Sequence, residues 1–305
     1  MRCRDAREGQ DAIKAKATAY LPLLEGHINA EDPAYKRYLT RALFYNGTER
    51  TVEGLSGAVF RKDVDVKAPT RPEVADLTSD VTLTGRPLSQ VAMDVIDELL
   101  AVGRCGILVD FAGAGRGDRA YAALYKAEQI INWHAPFERG KHVLRMLVLK
   151  EHHEEPKVND PFVTEAIPQY RVLQLVGDGL SASVEVNVYR RARTSAGSDQ
   201  RDAKFTRVPD TAAILERRAV RLNFIPFVFL PHVEIGKPPL LDLVDVNLSV
   251  YRTSADLEHG RHFTALPTPW VVGAPSDAKL AIGAGVAWVL NDHAHSKADM
   301  LEFKG

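Results

Sequence analysis

Hydrophobic positions in the first hundred residues recur every three or four places. Asp11–Leu24, rich in Ala and Lys, predicts a helix that Pro22 ends or bends. Tyr35, Tyr38, Leu39, Ala42 and Tyr45 share one helical face and predict a helix over Tyr35–Tyr45, closed by Asn46-Gly47. Thr48 can cap the next helix through its hydroxyl, and Val52, Leu55, Val59 and Phe60 give that segment its apolar side. Lys67–Pro72 reads as a linker. Leu88, Val91, Val95, Leu99 and Val102 predict a helix that Gly103 terminates.

The period then shortens. Gly106–Phe111 has the length and composition of a strand, and Tyr121–Trp133 is ambiguous but amphipathic. His142–Glu151 and Gln169–Leu175 are further strand candidates. Over Ser181–Arg191, Val184, Val186 and Val188 alternate with Ser183, Glu185 and Asn187, the signature of a half-buried strand. Thr194–Gln200 predicts a polar turn, and Ala219–Pro231 a strand interrupted by Pro226. After Pro238-Pro239 comes the longest unbroken helical segment, with no proline, from Leu240 to about His262. Leu240, Val244, Leu248, Tyr251 and Ala255 make one narrow apolar stripe along it, with Asp242, Asp245, Asn247, Arg252, Asp256, Glu258, His259 and Arg261 on other faces. Trp270–Gly273, Val286–Leu290 and Met300–Phe303 read as short strands. The fold class is α+β: a helical part over 1–103, a β-rich module over 104–235, a long helix over 236–265 and a small β-containing part over 266–305.

Composition narrows the function classes. The 305 residues are 45% hydrophobic and 26% charged, which excludes a wholly disordered or collagenous chain. Two cysteines are too few for a disulfide scaffold and favour a reducing cytoplasm. The longest apolar runs, Phe224–Pro231 and Ala281–Leu290, fall far short of the ~20 residues that span a bilayer. Lys14, Lys16 and Pro22 interrupt the only apolar stretch that could act as a signal peptide. Net charge is −1, so any basic surface is local. One such surface lies between Tyr189 and Arg221. Nine Lys/Arg, led by Arg190, Arg191 and Arg193, stand there against four Asp/Glu. A solvated hairpin is the favoured reading and a nucleic-acid or acidic-protein contact the alternative, because aromatic residues for base stacking are sparse.

Catalytic motifs are weak. Gly113-Ala-Gly115-Arg-Gly117 lacks the Lys-Ser/Thr of a phosphate loop and reads as a turn. Ser56, in Gly54-Leu-Ser56-Gly57, does not sit in a nucleophile elbow. Glu151-His152-His153-Glu154-Glu155 has metal-ligand residue types without metal-ligand spacing and is expected to be a solvated charged loop. His293 and His295 could share a strand face but lack evident partners. Glu302-Phe303-Lys304, with Asp210 upstream, has the pattern of some magnesium nucleases and supplies the alternative of a metal-dependent nuclease. No cofactor or metal is expected, and the leading expectation is a protein that is not an enzyme.

Six strings then carry a resemblance: Tyr38–Thr48, Arg50–Lys62, Gly103–Asp110, Ala127–Trp133, Ser254–His259 and Leu266–Gly273. In order and over nearly the whole chain, they resemble a phage and prophage family once labelled a domain of unknown function and now read as the portal protein of tailed phages. That resemblance implies a ring-forming subunit, usually in a dodecamer, through which double-stranded DNA is packaged and ejected. It further implies contacts with the terminase large subunit, tail adaptor proteins and capsid or scaffold proteins, no membrane, and a place in the virion or, during assembly, the host cytoplasm. Residues 1–235 would be the wing, 240–262 a channel-lining stem helix and 266–305 the clip. Asn247, Arg252, Asp256 and Arg261 are then the candidates for the channel side, and Trp270 for packing in the clip. Family members continue past the equivalent of Gly305 with a returning stem helix, so the resemblance implies a C-terminally truncated member. Another head or tail interaction protein is a further alternative.

Overall fold

The computed structural model describes residues 2–62, 64–66, 78–111, 119–138, 140–157, 160–191, 205–209, 211, 213–217, 220–264, 268–273 and 295–301. The helices are α1 (Arg2–Glu8), α2 (Gln10–Ala15), α3 (Pro33–Arg41), α4 (Gly47–Val59), α5 (Leu88–Ala101) and α6 (Leu241–Thr264). Along the chain the strands are β1 (Cys105–Phe111), β2 (Ala120–Lys126), β3 (Ile130–His134), β4 (Phe137–Glu138), β5 (Lys141–His142), β6 (Met146–Lys157) and β7 (Asp160–Val176). After them come β8 (Ser183–Arg191), β9 (Phe205–Arg207), β10 (Ala213–Ile214), β11 (Glu216–Arg217), β12 (Val220–Arg221), β13 (Phe227–Leu230), β14 (Thr268–Val272) and β15 (Lys297–Leu301). Helices and antiparallel sheets make an α+β fold. The chain divides into two compact units that cut across its linear order: Met1–Arg4 with Thr48–Asp242, and Asp5–Gly47 with Leu243–Gly305.

The first unit is built on two sheets, one ordered β13-β1-β2 and one ordered β10-β8-β7-β6-β3. Alternation along the strands sends every second side chain into one core. Leu108 and Tyr125 meet Leu147, Leu149, Leu173, Leu175, Val184 and Val186 there, with Phe227 and Phe229 from β13. Gly106 belongs to this packing, since a Cβ on it would lie 2.1 Å from the Phe227 ring. Gly103 ends α5 with φ of +81°, and a Cβ there would lie 2.9 Å from the Pro238 Cα. Within α5, Glu98 is buried and takes a bond from Arg4 Nη1 at 2.7 Å, while Arg4 Nη2 also reaches Glu128 at 3.0 Å.

Two strand expectations change in this unit. Glu151–Glu155 is part of β6, not a loop, because its backbone pairs residue by residue with Gln169–Glu165 of β7. Ala219–Pro231 is not one strand. It splits into β12 and β13, and Pro226, whose ring supplies no N–H for a ladder, lies in the gap. The helix over Leu88–Ala101 stands as expected; the strand expected over Ser181–Arg191 begins at Ser183, with Val184 and Val186 buried and Glu185 exposed as expected but Ser183 buried as well.

The second unit gathers α2, α3 and α6 around Ile13, Leu21, Tyr35, Tyr38, Phe44, Val244, Leu248, Tyr251 and Ala255, all buried. α3 starts two residues before its expected Tyr35, because Asp32 caps it by accepting from the Ala34 N–H and Pro33 fits the first turn. It ends at Arg41, so Ala42–Asn46 is not helical. The predicted helix over Asp11–Leu24 stops at Ala15, well before Pro22. Ala17 adopts a left-handed φ of 42° and opens a short 3-10 turn over Ala17–Ala19. Tyr20 then turns inward to donate its hydroxyl to Asp5. Helix α4, in turn, begins at Gly47, so Thr48 lies buried inside it and does not cap it from outside. Lys67–Pro72, Gly113–Gly117, Thr194–Gln200 and Val286–Leu290 lie outside the described residues.

Candidate functional site

α6 is the feature with the strongest claim to function. It runs unbroken for 24 residues, about 36 Å at 1.5 Å per residue. Asp242 in its first turn and Arg261 and His262 in its last complement the helix dipole. Its inner stripe is the predicted one: Val244, Leu248, Tyr251 and Ala255 are each less than 5% exposed. Leu240 precedes the helix and is only partly buried. Phe44 meets Tyr251 edge-on at 5.8 Å between ring centroids.

Polar contacts flank this stripe. Asn247 Nδ2 donates to the Tyr45 carbonyl at 2.9 Å, and Arg252 Nε donates to the Tyr20 carbonyl at 2.9 Å. Tyr38 donates its hydroxyl to Asp256. Burial, then that carboxylate, push the Tyr38 hydroxyl pKa far up. Burial raises Tyr251 to about 12, and its hydroxyl has no hydrogen-bond partner among the described residues. His259 stacks edge-on against Tyr38 at 5.1 Å, and its Nδ1 lies 3.2 Å from Arg41 Nη2. Burial, then the Arg41 charge, hold its pKa below the usual histidine value.

The opposite side of α6 departs from the one-stripe expectation. Val246, Val250 and Leu257 are 60%, 53% and 60% exposed. On a helix these three fall within about 40° of one another, opposite Val244 and Ala255. α6 therefore carries two apolar stripes, one covered by its own chain and one open.

Of the four channel-side candidates, Asn247 is buried at 7% exposure and anchored to its own chain, so its side chain does not reach the outer surface. Arg252 and Asp256 are exposed but also tethered, to Tyr20 and Tyr38. Arg261 is exposed and donates to Glu258 at 2.9 Å. Trp270 is partly buried on β14, with Lys297 Nζ 5.4 Å from its ring centroid. Arg190 donates to Gln169 at 2.9 Å and pairs with Glu155 at 3.3 Å, and Arg191 lies over the Phe205 ring at 5.1 Å. Arg193, Asp210, His293, Glu302 and Lys304 lie outside the described residues. Tyr38, Arg41 and Phe44 escaped sequence reasoning as parts of this site, because nothing local links them to a helix some two hundred positions later.

Among the described residues no group of three His, Cys, Asp or Glu is placed to hold a metal, and no helix is long and apolar enough to cross a membrane. Residues 239–305 match a family model described as "Domain of unknown function (DUF4055)". This family is phage-associated. The match takes in all of α6 together with β14 and β15. No curated protein matches the chain.

Proposed function

We propose that this chain is a portal-type subunit of a tailed phage, non-enzymatic, whose work is to build a ring around a DNA channel. One observation carries the reading: α6 is a continuous rod with one apolar stripe satisfied inside its own unit and a second left uncovered. A helix apolar on two sides asks for neighbours on both. In a closed ring each α6 would supply the missing flank of the next.

On this reading the polar side beside the open stripe, with Asp242, Asp245, Ser249 and Asp256, would face the bore. Carboxylates and hydroxyls there outnumber Arg252, which shares that side and is held to the Tyr20 carbonyl, and this suits a conduit because basic contacts retain DNA through counterion release. The terminase large subunit, tail adaptors and capsid or scaffold proteins would be the docking partners, and duplex DNA a cargo bound without sequence preference. Negative-stain imaging of the purified protein tests the proposal. Rings with a central hole are expected, and compact monomers at high concentration would overturn it.

A further inference from the structure

The two faces of β6, β7 and β8 treat their charges differently. On the face that meets the core, Arg171 pairs with Asp110 at 2.6 Å and with Glu151 at 3.0 Å, and Arg190 pairs with Glu155 at 3.3 Å. Alternation turns every second residue of these strands to the opposite face. There one rung runs Lys150, Tyr170, Tyr189, Arg207 across β6, β7, β8 and β9, each residue directly opposite the next. Beside it stand Arg191 and Phe205, again opposite one another on β8 and β9. Three cations and three aromatic rings thus share a patch about 14 Å across, by the spacing of neighbouring strands.

On this face the cations are not matched to carboxylates. Lys150 and Arg207 make no ion pair among the described residues. The acids that β6 and β8 carry nearby on the same face, Glu154 and Glu185, stand four residues from Lys150 and Tyr189, about 13 Å by strand rise. Phe205 is 37% exposed and Arg207 is exposed, while Lys150, Tyr170, Tyr189 and Arg191 are half-buried. The Phe205 ring meets Tyr170 edge-on at 4.8 Å between centroids, and the Arg191 guanidinium carbon lies 5.1 Å from its centroid. Cross-strand pairing alone accounts for rings on a sheet. It does not account for cations without acids between those rings, when the arginines on the core face of the same strands are matched. The basic stretch after Tyr189 is poor in aromatic residues along the sequence, and the ladder makes up the shortfall by bringing Tyr170 over from β7.

We infer that this face binds single-stranded DNA, with bases stacked on the Tyr170, Tyr189 and Phe205 cluster and phosphates held at Lys150, Arg191 and Arg207. Cations alone would suit any polyanion. Rings among them favour unpaired bases, which stack on aromatic side chains, over a duplex, whose bases already stack on one another. Carboxylate-rich protein gains nothing from a stacking surface. The site lies in the first unit and uses no residue of α6. The choice of DNA over RNA rests on the portal reading, but the mode of binding does not.

Fluorescence anisotropy of the purified protein with a labelled oligothymidylate of about 16 nucleotides, the upper site size of such surfaces, tests the inference. Affinity should fall with salt at a log–log slope near about −2, since a single strand gives about −0.7 for each phosphate held and three cations are present. Arg207→Ala should reduce that slope to about −1.4. Phe205→Leu, which keeps an apolar side chain but removes the stacking ring, should weaken binding about fivefold or more at the same slope. Both variants should keep the circular dichroism of the parent. No binding at low salt, equal affinity for the annealed duplex, tighter binding of polyglutamate, or binding indifferent to either variant overturns the inference whether or not rings form. Tighter binding of the matching oligouridylate overturns DNA as the occupant. Compact monomers that bind the strand as described overturn the ring and leave this site in place.

Discussion

Replacing Val250 by Asp separates a role of α6 in assembly from a role in folding. Val250, Val246 and Leu257 are each a little over half exposed. Fully burying one such side chain stabilises by about 1.5–3 kcal/mol, so covering the exposed part is worth roughly 1 kcal/mol each. The open stripe thus offers roughly 3 kcal/mol of apolar association per helix. Val250→Asp forfeits roughly a third of that and forces a carboxylate into the contact, for a loss of at least about 2 kcal/mol, or roughly 30-fold in association. Sedimentation velocity over a wide concentration series reads the shift, and urea unfolding followed by circular dichroism checks the fold. Association should fall while the urea midpoint stays put. Unchanged association would refute the argument that the open stripe is an interface, and a collapsed midpoint would show that Val250 is part of the monomer core.

Leu248→Ala, on the covered stripe, should do the reverse and cost about 2–5 kcal/mol of folding stability in urea titrations. Glu98→Ala should destabilise by about 2–3 kcal/mol in the same assay, since it strips the part-buried Arg4 of its most buried partner and leaves it the more exposed Glu128. Gly103→Ala should lower the midpoint by the equivalent of about 1–3 kcal/mol, because the residue must keep a positive φ against Pro238. The lowered His259 pKa has a defined sign: the folded state disfavours the proton, so its contribution is full above the unfolded pKa of about 6.5 and is lost as pH falls from there through the lower folded pKa. Thermal melts should therefore show lower stability at pH 5 than at pH 7.5, with the difference reduced in His259→Gln.

Much of the local structure was readable from pattern. The inner stripe of α6 and the ends of α5 followed from three-and-four spacing, and β8 from strict alternation. What escaped depends on residues far apart in sequence. Glu151–Glu155 looks like a loop until β7 supplies its ladder, since charges on a strand edge carry no local signature. α6 has valines and leucines on two sides, and a search for one seam finds Val244 and Leu248 while passing over Val246 and Val250. Arg104 reads as an ordinary basic residue after a glycine, and only Trp133 and Phe229 reveal that it is enclosed.

The second unit is assembled from the two ends of the chain, and that sets an order on its birth. Tyr38 meets Asp256 across 218 positions. At 5–20 residues per second a ribosome needs roughly 10–45 s to travel that far. Throughout that interval Tyr35, Tyr38 and Phe44 have emerged without the helix that covers them. The nascent protein must shelter this aromatic patch, alone or with a chaperone, until translation delivers α6.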